Sequence, residues 1–167
     1  MSDTRVPNTL FFVILAMGVL EFFHYFPLLP KTLASHFSGA GHATCWMTRA
    51  QFFITFAAAA IPALAIEFFV PPAIAKTTGN RLNLPNKEYW LAPERRAATF
   101  TYLQRFFAWY GCAILLLEVI TMDLAIRANF QNPPEISTGP INFAISAFVI
   151  LSVAAVVAVF RRFSKPA

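Results

Sequence analysis

Four stretches of this chain are each apolar over the length that crosses a lipid bilayer, and no other feature constrains its fold as tightly. A hydrocarbon core of about 30 Å takes about 20 helical residues at 1.5 Å each. The stretches run from about Thr9 to Leu29, Gln51 to Val70, Tyr102 to Ile126 and Pro140 to Phe160. The first contains Glu21 and His24, the second Glu67, the third Glu118 and Asp123, and the fourth no ionisable group. Pro71-Pro72 is expected to stop the second helix. Pro93, followed by Glu94, suits the start of a helix that runs on into the third span, so that helix is predicted over about 93–127.

Composition closes the other routes. With 57% hydrophobic and 13% charged residues, the chain lies outside the soluble, disordered and disulfide-scaffold classes. The expected fold is an all-α bundle of four transmembrane helices, about 9–29, 51–70, 93–127 and 140–160. It forms a single integral membrane domain over 1–167, with a short amphipathic, interfacial segment between the second and third helices. The first span has Arg5 ahead of it, but Glu21 and His24 interrupt its apolar run. The nearest small-residue cleavage site, around Ala34-Ser35, comes too late for a signal peptide, so the span is expected to be retained.

Lys and Arg set the orientation. Arg5, then Lys76, Arg81, Lys87, Arg95 and Arg96, then Arg161, Arg162 and Lys165 place nine basic residues on one side. Lys31, Arg49 and Arg127 place three on the other, with Arg105 at the mouth of the third span. Both termini and the middle connection are therefore expected in the cytoplasm. The net charge of +5 follows from this bias and suits anionic headgroups. No RNP, helix-turn-helix or zinc-finger pattern points to nucleic acid.

The first connection reads Phe26-Pro27-Leu28-Leu29-Pro30, then His36-Phe37, Gly39, Gly41, His42, Cys45 and Trp46. Prolines end the first helix, glycines permit a turn, and Trp46 suits the membrane–water interface, as do Tyr89 and Trp90 in the middle connection. Phe26-Pro27-x-Leu29-Pro30 with His36-Phe37 and Gly41 resembles the Leu-Pro…His-Phe…Gly segment of the DUF1648 domain. That domain forms the N-terminal part of SdpI-like toxin-immunity and signalling membrane proteins. The string Asn83-Leu84-Pro85-Asn86-Lys87-x-Tyr89-Trp90-Leu91-Ala92-Pro93-Glu94-Arg95-Arg96 is similar to the cytoplasmic loop of bacterial DUF1648-type proteins. The resemblance covers roughly residues 20–100, and the chain is too short for the additional C-terminal spans of the SdpI pattern. It implies a small integral protein of the bacterial inner membrane.

Ionisable groups within spans cost about 2.5–3.5 kcal/mol each on insertion scales and are candidates for function. Glu21 and Glu118 each lie eight residues, roughly 12 Å, from the outer end of their spans, so they are expected to meet if the two helices adjoin. His24 shares the face of Glu21, and with His36 and His42 these residues would form a polar funnel opening outward. Three readings stand. Glu21 and Glu118 fix helix packing, with burial neutralising a carboxylate; or His24, His36 and His42 with Glu21 bind a divalent metal; or the paired carboxylates carry protons or a solute. Asp123 and Arg127, spaced i,i+4, are expected to pair, and Arg105 is expected to reach Glu67 by snorkelling.

A haem is not expected, because the later spans contain no His. Cys45 and Cys112 lie at different depths, so no disulfide is expected. No serine-triad order, phosphate loop or zinc-protease motif occurs. Ala144, Ala147, Ser152, Ala155 and Ala158 distribute small residues along the fourth span, which permits close helix approach. Ser137-Thr138-Gly139-Pro140 supplies its cap and first-turn proline. The expected function is non-catalytic: an accessory, sensor or immunity-type membrane protein acting through other membrane subunits or a homo-oligomer. Small-solute or ion transport through Glu21, His24 and Glu118 stands second, and a metal-dependent membrane enzyme third. No cofactor is predicted outside the metal reading.

Overall fold

The computed structural model describes residues 4–76 and 82–164. Arg81 and Lys165, two of the nine basic residues on the predicted cytoplasmic side, lie outside the described residues. The elements are α1 (Arg5–Tyr25), β1 (Thr32–Phe37), β2 (Ala43–Thr48), α2 (Arg49–Ala59), α3 (Ile61–Phe68), α4 (Val70–Lys76), α5 (Lys87–Trp90), α6 (Pro93–Ala128) and α7 (Thr138–Ser164). Four helical stretches are long and apolar enough to cross a membrane: Arg5–Tyr25, Arg49–Ile74, Pro93–Ala128 and Thr138–Ser164.

The second stretch is not one smooth helix, because its prolines interrupt the backbone ladder. Thr48 and Gln51 form a capping box that starts α2: the Gln51 N–H donates to Thr48 Oγ1 (3.2 Å) and the Thr48 N–H to Gln51 Oε1 (3.0 Å). Pro62 has no N–H to give back to Ala58, and the chain breaks at Ala60 before α3. The expectation that Pro71-Pro72 ends the span is corrected. These prolines sit in the first turn of α4, where a missing N–H costs nothing. The carbonyl of Pro71 instead accepts from Gln104 Nε2 on α6 (3.1 Å).

Helix α6 is the axis of the molecule. At 36 residues it is about 54 Å long, more than the bilayer core needs, and α1, α3, α4 and α7 all pack on it. α1 runs parallel to it: Pro7 O accepts from Cys112 Sγ (3.1 Å), Gly18 lies against Val119, and the Tyr25 ring is 5.7 Å from that of Phe130. The broken second span and α7 run the opposite way. Three apolar layers stack along this axis. Phe52, Phe53, Leu33 and Ile126 lie in one, Phe11, Ile14, Ala63 and Leu115 in the next, and Ile74, Leu103 and Phe163 in the third.

The all-α expectation is corrected at one pole, where residues 32–48 form an antiparallel hairpin, β1–β2. Threonines 32, 44 and 48 favour extended backbone, and Ser38-Gly39-Ala40-Gly41 supplies the turn. The free edge of β1 is closed by a side chain. Asn129, buried just beyond α6, accepts from the Ala34 N–H (2.7 Å) and donates to the Ala34 carbonyl (3.0 Å) and to Ala125 O (2.9 Å). The hairpin turn is held in turn by the 129–137 connection, where the Ile136 N–H donates to Gly41 O (2.9 Å). Gly41 has φ +93°, and a Cβ there would lie 2.5 Å from Ile136 O, so only glycine fits without strain.

The opposite pole is closed by the α5 segment. Trp90 Nε1 donates to Phe163 O (2.9 Å), and Asn86 Nδ2 to Phe163 O (3.1 Å) and Ser164 O (2.8 Å). These bonds satisfy carbonyls at the end of α7 that have no helical donor. Trp90 is thus a latch on α7, whereas Tyr89 lies under the Arg95 guanidinium (3.9 Å to the ring centroid) and Trp46 is exposed on β2.

Candidate functional site

The site residues gather where α1 and α3 press against α6. Gly18 permits the contact, since a Cβ there would meet Val119 Cγ2 at 3.0 Å. Three carboxyls from three different spans lie along this seam, and each has one buried oxygen without a hydrogen-bond partner: Glu67, Glu118 and Glu21.

Glu67 is 7% exposed and lies, with Ala63 and Ile66, against Gly111 of α6. With its amide turned to donate, Asn8 bonds Thr4 O (2.6 Å) and Glu67 Oε1 (3.2 Å). The expected Glu67–Arg105 pair is corrected. Arg105 lies on the side of α6 that faces α7, and the ion pairs among the described residues are His42–Glu135 and Arg127–Asp123.

Glu118 stands at the wall of a half-open cavity of about 370 Å³ between α1, the α2–α3 bend and α6. Leu15, Val19, Phe22, Phe56, Leu64 and Leu115 supply much of its almost wholly apolar lining. Cavities of this size accept small ligands, usually through an apolar wall with a few polar groups. Here the only carboxylate on the wall is Glu118, and its free oxygen has no donor among the described residues.

Glu21 does not meet Glu118. Its electrostatic neighbours are Asp123 and Arg127. The reason is depth. α1 ends at Tyr25, not Leu29, so Glu21 is four residues from the helix end and Asp123 is five from the end of α6. Glu118 is ten residues from that end, about 8 Å deeper than Asp123. The Asp123–Arg127 pair is formed as spaced, with Arg127 Nε 2.8 and 2.7 Å from the two carboxylate oxygens. Glu21 thus lies beside the Asp123–Arg127 ion pair, and Arg127 supplies the adjacent positive charge.

The polar funnel of histidines is not formed. His24 is exposed, with its ring 4.7 Å from that of Tyr25. His36 Nδ1 lies 3.2 Å from Ser35 Oγ, and His42 Nδ1 lies 3.9 Å from Glu135 Oε1. Each imidazole has a different neighbour, and no cluster of three metal-binding side chains occurs among the described residues. The weak candidates His24, His36 and His42 are therefore separate surface groups.

Sequence reasoning missed Asp123 as the partner of Glu21 and missed Asn129 entirely. The first had a signal, a second acid in the third span nearer its end. The second had none, because a buried amide at a helix end reads as an ordinary cap. Comparison of the chain with protein-family models, with curated proteins and with solved structures gives no match.

Proposed function

We propose that this chain is a non-catalytic multi-pass membrane protein of the accessory, sensor or immunity type, whose recognition element is the Glu118 cavity. It takes an apolar molecule bearing an amine from within the bilayer and signals occupancy through a partner membrane subunit or a second copy of the chain. The observation that carries this reading is Glu118, the one carboxylate lining an otherwise apolar cavity, with a buried oxygen that has no hydrogen-bond partner among the described residues. A buried carboxyl without a donor is costly, and a ligand amine would relieve that cost while its alkyl part fills the cavity. The basic bias supports an inner-membrane location with the α5 pole and both termini in the cytoplasm. The DUF1648-type resemblance supports a small integral protein of the bacterial inner membrane.

The test is binding of a dansyl-labelled dodecylamine to the purified protein in a non-ionic detergent. Saturable fluorescence is expected. Ala57→Trp, which fills the cavity mouth, and Glu118→Gln should each weaken binding at least tenfold. Equal binding by all three proteins would refute the reading.

One observation favours a second reading, proton or ion transport. Along α6 the three carboxyls lie at the levels of Gly111, Glu118 and Asp123, rises of about 10 and 8 Å. Such a ladder suits a relay once water bridges the gaps. Proton flux in pyranine-loaded liposomes that Glu118→Gln abolishes would support transport in place of sensing.

A further inference from the structure

The cleft on the other side of α6 differs in chemistry from the Glu118 cavity. It lies between α6 and α7 and measures about 370 Å³. Phe106, Trp109, Leu151, Ala155 and Ala158 contribute apolar surface, and Arg105 is its one charged lining residue. Arg105 is exposed and has no acidic partner among the described residues. Arg162 stands at the same end: its guanidinium is 4.3 Å from the ring centroid of Tyr102, one turn before Arg105 on α6. Ala158, which lines the cleft, lies one turn before Arg162 on α7, so Arg162 stands just beyond the lining at the α5 end.

From Arg105 the cleft runs to Ala113, eight residues or about 12 Å along α6. Within it the one polar contact is internally satisfied, as Tyr110 OH donates to Ser152 Oγ (3.1 Å) and Ser152 Oγ to Phe148 O (2.8 Å). No residue in the apolar window of α7 is buried, so the cleft opens on the bilayer. Of the α7 alanines, Ala155 and Ala158 line this space.

We infer that the α6–α7 cleft binds one anionic phospholipid, its phosphate between Arg105 and Arg162 and an acyl chain along Trp109 and Ala155. Guanidinium groups match phosphate oxygens in a bidentate fashion, and an unpaired cation at headgroup depth is stabilised by an anionic lipid. Two cations against one phosphate leave a positive excess, which the ammonium of a zwitterionic headgroup would oppose. This inference does not depend on the Glu118 reading, because it uses the opposite face of α6.

Native mass spectrometry of the full chain in a mild detergent tests it, with phosphatidylglycerol, phosphatidylcholine or inorganic phosphate added. One phosphatidylglycerol should be retained at least fivefold better than phosphatidylcholine, and phosphate alone should not be retained. Arg105→Gln and Arg162→Gln should each remove most of that preference. Ala155→Phe should abolish retention without changing charge, with thermal unfolding of every variant confirming the fold. Equal retention of both lipids, retention of phosphate alone, or indifference to Arg105→Gln overturns the inference. So does a dimer in place of bound lipid that Ala155→Phe dissociates.

Discussion

Replacing Asn129 by Ala tests how the hairpin is attached to the bundle. The side chain is 6% exposed and makes three hydrogen bonds of 2.7–3.0 Å, two of them to Ala34, which is fully buried. Without it the Ala34 N–H and carbonyl lose their partners, while Ala125 O keeps the Asn129 backbone N–H (3.3 Å). A buried polar group left unpaired costs about 1–3 kcal/mol, so two predict a loss of about 2–4 kcal/mol after partial rehydration. Asn129→Asp keeps an acceptor for the Ala34 N–H but turns a buried carboxylate oxygen toward the Ala34 and Ala125 carbonyls, and should be at least as destabilising as Asn129→Ala at neutral pH. Unfolding in mixed micelles by SDS titration measures the stability, and amide hydrogen exchange at Ala34 reports the site. A change under about 0.5 kcal/mol, well below the cost of one stranded group, together with unchanged Ala34 protection, would refute this account of the edge.

Gly41→Ala should destabilise the same pole by about 1–3 kcal/mol, since the added methyl would collide with Ile136 O at 2.5 Å. Exchange of the Ile136 amide should accelerate, whereas Gly39→Ala, with nothing within 4 Å, should leave it unchanged. Cys45 is exposed on β2 and Cys112 is buried, so the unmodified protein reports its own orientation. A membrane-impermeant maleimide should label Cys45 on intact cells, and a cysteine at position 90 should react only after permeabilisation. The reverse pattern would invert the proposed topology.

Spans were legible because hydrocarbon thickness sets one length scale, and Pro93 marked the start of α6 well outside the apolar run. The hairpin was not. Its strands are six residues each, its alternation is broken by a bulge after Ala34, and its edge is paired by Asn129 from 95 residues away. Glu21 and Glu118 stand out in the sequence as charges within apolar spans. Their expected pairing counts depth from Leu29, whereas α1 ends at Tyr25, before Pro27. Arg105 was matched to Glu67 on depth alone, and depth does not say on which side of a helix a residue points.

The parallel packing of α1 on α6 also orders events during synthesis. Pro7 and its partner Cys112 are 105 residues apart, and Glu21 and Asp123 are nearly as far. At about 5–20 residues per second, the first span waits on the order of 5–20 s in the membrane before its neighbour exists. Throughout that interval Phe11, Ile14 and Gly18 contact lipid or the insertion machinery, and Glu21 lacks Asp123 and Arg127. The ribosome must therefore deliver the third span before the first can take its final place, and a chain stalled inside the middle connection would hold an uncommitted helix with an unpaired acid.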